Sequence, residues 1–136
     1  MKFLGLIFFL AVDFSVFGQN ENLAIKKIDK IFDNYIKQKE HVDSEDNQVE
    51  MQLALKTLES NCDIKYFPKL IEVWMYYDPT DFPTRKFVYQ VLLTKKTEGL
   101  KAIEKRIKEK KNWETLDNAP LSDLLALRDE FKKLKN

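Results

Sequence analysis

Few residues of this 136-residue chain could do nucleophilic or metal chemistry. Cys62 is the only cysteine, and His41, the only histidine, lies 21 positions before it. A zinc or other transition-metal site needs several His and Cys ligands, so we predict no metal site and no cofactor. The sequence also lacks an HExxH motif, a nucleophile elbow and a Gly-rich phosphate loop. We therefore do not predict an enzyme.

One acidic cluster keeps a catalytic alternative open. His41 precedes Asp43, Glu45 and Asp46, and Glu50 follows one helical turn later. The cluster lacks the glycine and the spacing of a calcium loop. Glycoside hydrolysis needs two carboxylates whose separation is set by the fold and not by sequence spacing. The alternative function is therefore a small helical hydrolase that uses carboxylates near His41.

The first 18 residues have the pattern of a signal peptide. After Lys2, Phe3–Val12 form a ten-residue apolar block that is too short to span a bilayer. Val16-Phe17-Gly18 then provides a sequence compatible with cleavage. We predict that residues 1–18 are removed and that the protein is exported, either to the periplasm or as a secreted protein. An uncleaved N-terminal anchor is the alternative.

The remaining residues, 19–136, have the composition of a single domain. The chain is 44% hydrophobic and 33% charged, with 23 basic and 22 acidic residues. This excludes disordered and collagen-like classes, and the near-zero net charge argues against nucleic acid as a partner. No transmembrane span is expected after cleavage. Cys62 has no partner within the chain, so we expect it to be buried, with an intermolecular disulfide as the alternative.

Apolar residues recur at steps of three and four along the domain, which predicts helices. No stretch has the alternation of a strand, so the predicted fold is all-α, with about six helices, and Leu70 and Trp74 are expected in the core. A loop is expected from Asn112 to Asn118. The predicted helices are about Leu23–Glu40, one capped by Ser44 or Asp46 with apolar positions from Val49 and an end near Ser60, one starting between Asp63 and Phe67, one starting near Asp81 and ending near Thr94, one starting near Thr97, and one starting at Pro120.

The middle of the chain, about residues 49–93, resembles a HEAT-type helical repeat. The helix through Trp74 leads into a turn containing Asp78, and the next helix begins with Arg85 before its apolar stripe. The resemblance implies a short stack of helical hairpins, with a compact bundle as the alternative. It also implies an interaction scaffold without catalysis, in which Asp78 and Arg85 tie the turn together by charge-assisted hydrogen bonds.

Two segments are candidate binding surfaces. The first is the turn between the third and fourth helices, where aromatic residues flank two aspartates and could anchor a partner. Its candidate residues are Tyr76, Tyr77, Asp78, Asp81, Phe82 and Arg85. Packing within the fold is the alternative for these side chains.

The second segment is basic. Residues 95–111 contain eight basic and three acidic residues, and such a run could meet an anionic surface. Its candidate residues are Lys105, Arg106, Lys108, Lys110, Lys111 and the adjacent Trp113. A solvated helix face is the alternative. Together, these features predict a small exported helical protein-interaction module, such as an adaptor, an inhibitor or an immunity-type binder, for a protein partner that the sequence does not identify.

Overall fold

The computed structural model describes residues 20–37, 45–77, 82–109 and 119–134. Within these residues there are helices and no strands, so the all-α prediction is confirmed. The elements are α1 (20–37), α2 (Glu45–Leu58), a 3-10 helix (Ile64–Tyr66), α3 (Phe67–Tyr76), α4 (Phe82–Leu93), α5 (Lys96–Lys108) and α6 (Ala119–Lys133). The proposed signal peptide, residues 1–18, lies outside the described residues and stays a prediction.

The start of α3 follows directly from local sequence. The carboxylate of Asp63 accepts a hydrogen bond from the backbone N–H of Lys65 at 3.0 Å, which caps the 3-10 turn that leads into the helix. Pro68 then lies in the first turn of α3, where its missing N–H leaves no hydrogen bond unmade. The predicted start between Asp63 and Phe67 is therefore confirmed.

Helix α3 is the centre of the bundle. It packs against α4, α5 and α6, while α2 packs on α4 and α5 packs on α6. Leu70 is fully buried and Trp74 is 8% exposed, which confirms both as core residues. These contacts between elements distant in sequence make a compact bundle, one of the two predicted arrangements. The resemblance to HEAT-type repeats stays a prediction.

Helix α5 lies unusually close to its neighbours at Gly99. A Cβ atom added there would be 2.7 Å from the Leu92 carbonyl oxygen and 3.1 Å from Cε2 of Phe131. The first distance is shorter than Cβ atoms show in folded proteins. A side chain at this position would therefore force α5 away from α4 and α6.

Cationic side chains bind backbone carbonyls at the C-terminal ends of α3, α5 and α6, and another binds a carbonyl in the loop after α2. The last carbonyls of a helix have no partner within the helix and attract positive charge. The four contacts are Arg85 Nε to Trp74 O (3.1 Å), Arg106 Nη1 to Glu109 O (2.8 Å), Lys95 Nζ to Cys62 O (2.9 Å) and Lys96 Nζ to Leu134 O.

Some apolar residues of the helices are exposed. Ile36 is 46% exposed, Val49 50%, Leu53 60% and Leu134 38%. Ile36, Val49 and Leu134 lie within five residues of the end of a described range or helix, and Leu53 lines a groove between α1 and α2. None of the helices in the described ranges is long and apolar enough to cross a membrane.

Candidate functional site

A groove with a volume of about 590 Å³ runs between the first half of α3 and the length of α5. The 3-10 helix closes one end. The apolar residues that line it are Ile64, Pro68 and Ala102. A cleft of this size and partly apolar lining is typical of a ligand site. We call it the α3/α5 groove.

Charged side chains surround the apolar part of the groove. Five are cationic and three are carboxylates, which gives a net charge of +2: Lys65, Lys69, Lys101, Lys105 and Arg106 against Glu72, Glu98 and Glu109. Several of these charges are already neutralised within the fold. Only the side chains that do not form an ion pair within the fold are therefore available to a binding partner.

Arg106 is fixed at the wall of the groove by a hydrogen-bonded network. Its Nε donates to Glu72 Oε1 at 2.5 Å, its Nη2 to the Tyr76 hydroxyl at 3.1 Å and its Nη1 to the Glu109 carbonyl at 2.8 Å. Burial raises the pKa of Tyr76, Glu72 raises it further and Arg106 opposes the rise. With only 9% of Arg106 exposed, the expectation that it belongs to an open basic patch is corrected.

Lys69 serves to join α3 to α1. Its ammonium lies 3.3 Å from Asp29 and 3.2 Å from Asp33, and 4.8 Å from the centre of the Phe32 ring. Two carboxylates therefore compensate this charge. It adds little to the attraction of the groove for an anion.

Three lysines remain available at the rim. The Lys105 side chain is 76% exposed and its closest anionic contact is Glu109 at 3.9 Å, a separation that gives weak pairing. Lys65 lies over the Tyr66 ring at 5.1 Å, and Lys101 is exposed. None of the ion pairs among the described residues includes Lys65 or Lys101.

The basic residues of the predicted run, residues 95–111, make different contacts in the structure. Lys95 and Lys96 bind backbone carbonyls. Lys101, Lys105 and Lys108 are exposed at positions i, i+4 and i+7 of α5 and so share one face. The other three predicted members, Lys110, Lys111 and Trp113, lie outside the described residues. Lys65, which the sequence did not single out, joins this face from the 3-10 helix across the groove.

The predicted aromatic turn is largely part of the fold. Tyr77 is 1% exposed and its ring lies 5.2 Å from that of Tyr35 on α1, so its proposed role as an exposed contact is corrected. The chain leaves α3 in an extended conformation at Tyr77, and the ring packs against α1. Tyr76 is half-buried in the Arg106 network. Asp78, Asp81 and the side chain of Phe82 lie outside the described residues.

Arg85 ties three helices together. Its Nη1 donates to Asp123 of α6 at 3.0 Å, its Nε donates to the Trp74 carbonyl, and its guanidinium lies 4.2 Å from the centre of the Trp74 ring. The resemblance implied a structural arginine within the turn. In the described residues its acidic partner is Asp123, because the start of α4 lies beside both α3 and α6.

The residues of the catalytic alternative are not assembled in the described part of the chain. His41 and Asp43 lie outside it, Glu45 and Asp46 begin α2, and Glu50 lines a different groove, between α1 and α2. No group of three or more His, Cys, Asp or Glu side chains that could hold a metal ion occurs among the described residues.

Cys62 is buried, as predicted, with 1% of its surface exposed. Burial is the main cause that raises the pKa of its thiol to about 12, with a further contribution from Glu21. The thiol donates to the Asp63 carbonyl at 3.6 Å. It is therefore protonated and inaccessible at neutral pH, unlike a nucleophilic thiolate.

No protein-family model, curated protein or solved structure matches this chain. The inference of function therefore depends on the groove and its charges.

Proposed function

We propose that this chain is a small exported binding protein that holds an acidic segment of a protein partner in the α3/α5 groove. The observation that supports the proposal is the set of three available lysines, Lys65, Lys101 and Lys105, around an apolar lining. Export rests on the signal-peptide pattern of residues 1–18.

The two kinds of surface in the groove have different roles in binding. The apolar lining supplies contact area for one or two aliphatic side chains, because burying apolar surface is the main favourable term in association. Exposed lysines contribute mainly to the rate of encounter and to the choice of an anionic partner. The ligand that matches both is a peptide segment in which carboxylates flank aliphatic residues.

The lining favours binding over catalysis. Among the described residues that line the groove there is no Ser, Thr, Cys or His that could act as a nucleophile or as a neutral base. Glycoside hydrolysis needs two carboxylates. Of the three in the lining, Glu72 is bonded to Arg106 and Glu109 lies 3.9 Å from Lys105, so Glu98 alone is in no ion pair of the described residues. An inhibitor or immunity-type protein that covers an acidic surface of its target is a special case of this function.

A charge-reversal experiment tests the proposal. The variant Lys65→Glu/Lys101→Glu/Lys105→Glu reverses the rim of the groove. The matched control, Lys26→Glu/Lys30→Glu/Lys37→Glu, makes the same charge change at exposed positions of α1. Both variants and the unmodified chain are titrated with a labelled peptide that alternates Glu and Leu, and with the same peptide carrying Gln for Glu.

The expected result is binding of the Glu peptide by the unmodified chain and by the α1 control, with at least about tenfold weaker binding by the groove variant. Binding should also weaken as salt rises, since charges are screened beyond about 8 Å at 0.15 M salt. Equal binding of the Glu and Gln peptides, or equal loss in both variants, would show that the groove does not select acidic segments.

A further inference from the structure

A second groove, between α1 and α2, is lined by two stripes of the same design. Each stripe has a polar residue, a leucine, an alanine and a second polar residue at positions i, i+3, i+4 and i+7. The stripe on α1 runs from Asn20 to Lys27, and the stripe on α2 runs from Glu50 to Thr57. This spacing places all four residues of each stripe on one face of its helix. We call the surface the α1/α2 face.

The two alanines form the floor of this groove and the two leucines form its sides. Ala24 and Ala54 are 6% and 5% exposed, whereas Leu23 is 63% and Leu53 60% exposed. Val49, one turn before Leu53, is 50% exposed. The described part of the chain therefore presents its most exposed leucines on the same face, on either side of small residues that permit close approach of another helix.

The two stripes run in opposite directions. Glu21, at the start of α1, lines the same surface depression as Asn61 and Asp63, which follow the end of α2. The helices are therefore antiparallel, and Lys27 and Glu50 lie toward the same end of the groove. None of the ion pairs among the described residues includes either of them.

We infer that the α1/α2 face binds a second copy of this chain. A two-fold axis that lies along the groove, parallel to the helices, places α1 of each copy over α2 of the other. Leu23 then meets the second copy's Leu53, and Lys27 meets the second copy's Glu50, with each contact made twice. The face is thus complementary to itself in both apolar surface and charge. It involves different helices from the α3/α5 groove, so it is independent of the proposed function.

Sedimentation equilibrium of the purified protein, over roughly a hundredfold range of concentration, tests the inference. The expected result is a monomer–dimer equilibrium. Lys27→Glu and Glu50→Lys should each weaken the dimer at least about thirtyfold, because each change places like charges opposite one another twice. Lys26→Glu, a neighbouring exposed position, is the matched control and should dimerise as the unmodified chain does.

Mixing the Lys27→Glu and Glu50→Lys variants is the decisive step. Each variant is repelled by its own copies, but the mixture brings opposite charges together at both contacts and should restore a dimer containing one copy of each. Circular dichroism confirms that both variants are folded, and Leu53→Ser removes the apolar contact separately. A monomer at all concentrations, a dimer unaffected by these changes, or a mixture that stays monomeric overturns the inference.

Discussion

Replacing Gly99 with alanine should destabilise the fold, although alanine is the better helix former. The new methyl group would lie 2.7 Å from the Leu92 carbonyl oxygen and 3.1 Å from Cε2 of Phe131. The first contact is with backbone, which cannot turn away as a side chain can. The substitution therefore requires α5 to move.

The expected size follows from three terms. Alanine in a helix interior is favoured over glycine by about 1 kcal/mol, and burying one methyl group contributes about 0.8 kcal/mol. Overpacking costs about 1–3 kcal/mol, and the backbone contact places Gly99→Ala at the upper end. The net loss in the free energy of unfolding is about 1 kcal/mol, which lowers Tm by about 4 °C for a domain of this size.

Thermal and urea unfolding, followed by circular dichroism, measure this loss. Lys101, exposed on the same helix, provides the matched control. There, Lys101→Ala should be more stable than Lys101→Gly by about 1 kcal/mol, which isolates the helix-propensity term. If Gly99→Ala raises stability by a similar amount, the close approach of α5 to α4 is not a constraint and the reasoning is refuted.

Three further predictions concern the core, the thiol and the N-terminus. Trp74→Ala should cost about 3–5 kcal/mol, because it empties a largely buried site, and an unchanged Tm would contradict its place in the core. Cys62 should react with a disulfide reagent at pH 8 at least about a hundredfold more slowly in the folded chain than in urea. Because its pKa is raised from 9.0 to about 12, the unfolded chain loses the proton first, and stability should fall as pH rises above 9. N-terminal sequencing of the exported protein should begin at Gln19, whereas an intact Met1 would contradict signal cleavage.

The helices could be predicted from the sequence because their signals are local. The apolar period located all six, and Asp63 with Pro68 fixed the start of α3. The apolar period of α2 begins only at Val49, because the first turn of the helix is polar. The predicted capping residues, Ser44 or Asp46, lie on either side of the observed start at Glu45, so capping chemistry located a start that the apolar period could not.

The site was harder to predict because it joins residues that are distant in sequence. The charge of residues 95–111 predicts an exposed run that includes Arg106. Arg106, however, lies three positions after the buried Ile103 and seven after Gly99, on the same helix face. That spacing predicts that Arg106 is on the buried face of α5. No comparable signal marked Lys65, since only the packing of α3 against α5 brings it beside Lys101 and Lys105.

Arg85, Lys96 and Arg106 bind carbonyls at helix ends, and these contacts bear on how the chain folds. Helices commonly stop at a glycine, but the chain has three glycines and only Gly99 lies in the domain, inside α5. At the ends of α3 and α6 that role belongs to Arg85 and Lys96, which come from other helices, whereas Arg106 binds the end of its own helix, α5. The C-terminal ends of α3 and α6 are therefore stabilised in part by assembly of the bundle. A peptide copy of α3 alone would fray at its C-terminal end, and helix ends and bundle should form together in one cooperative step.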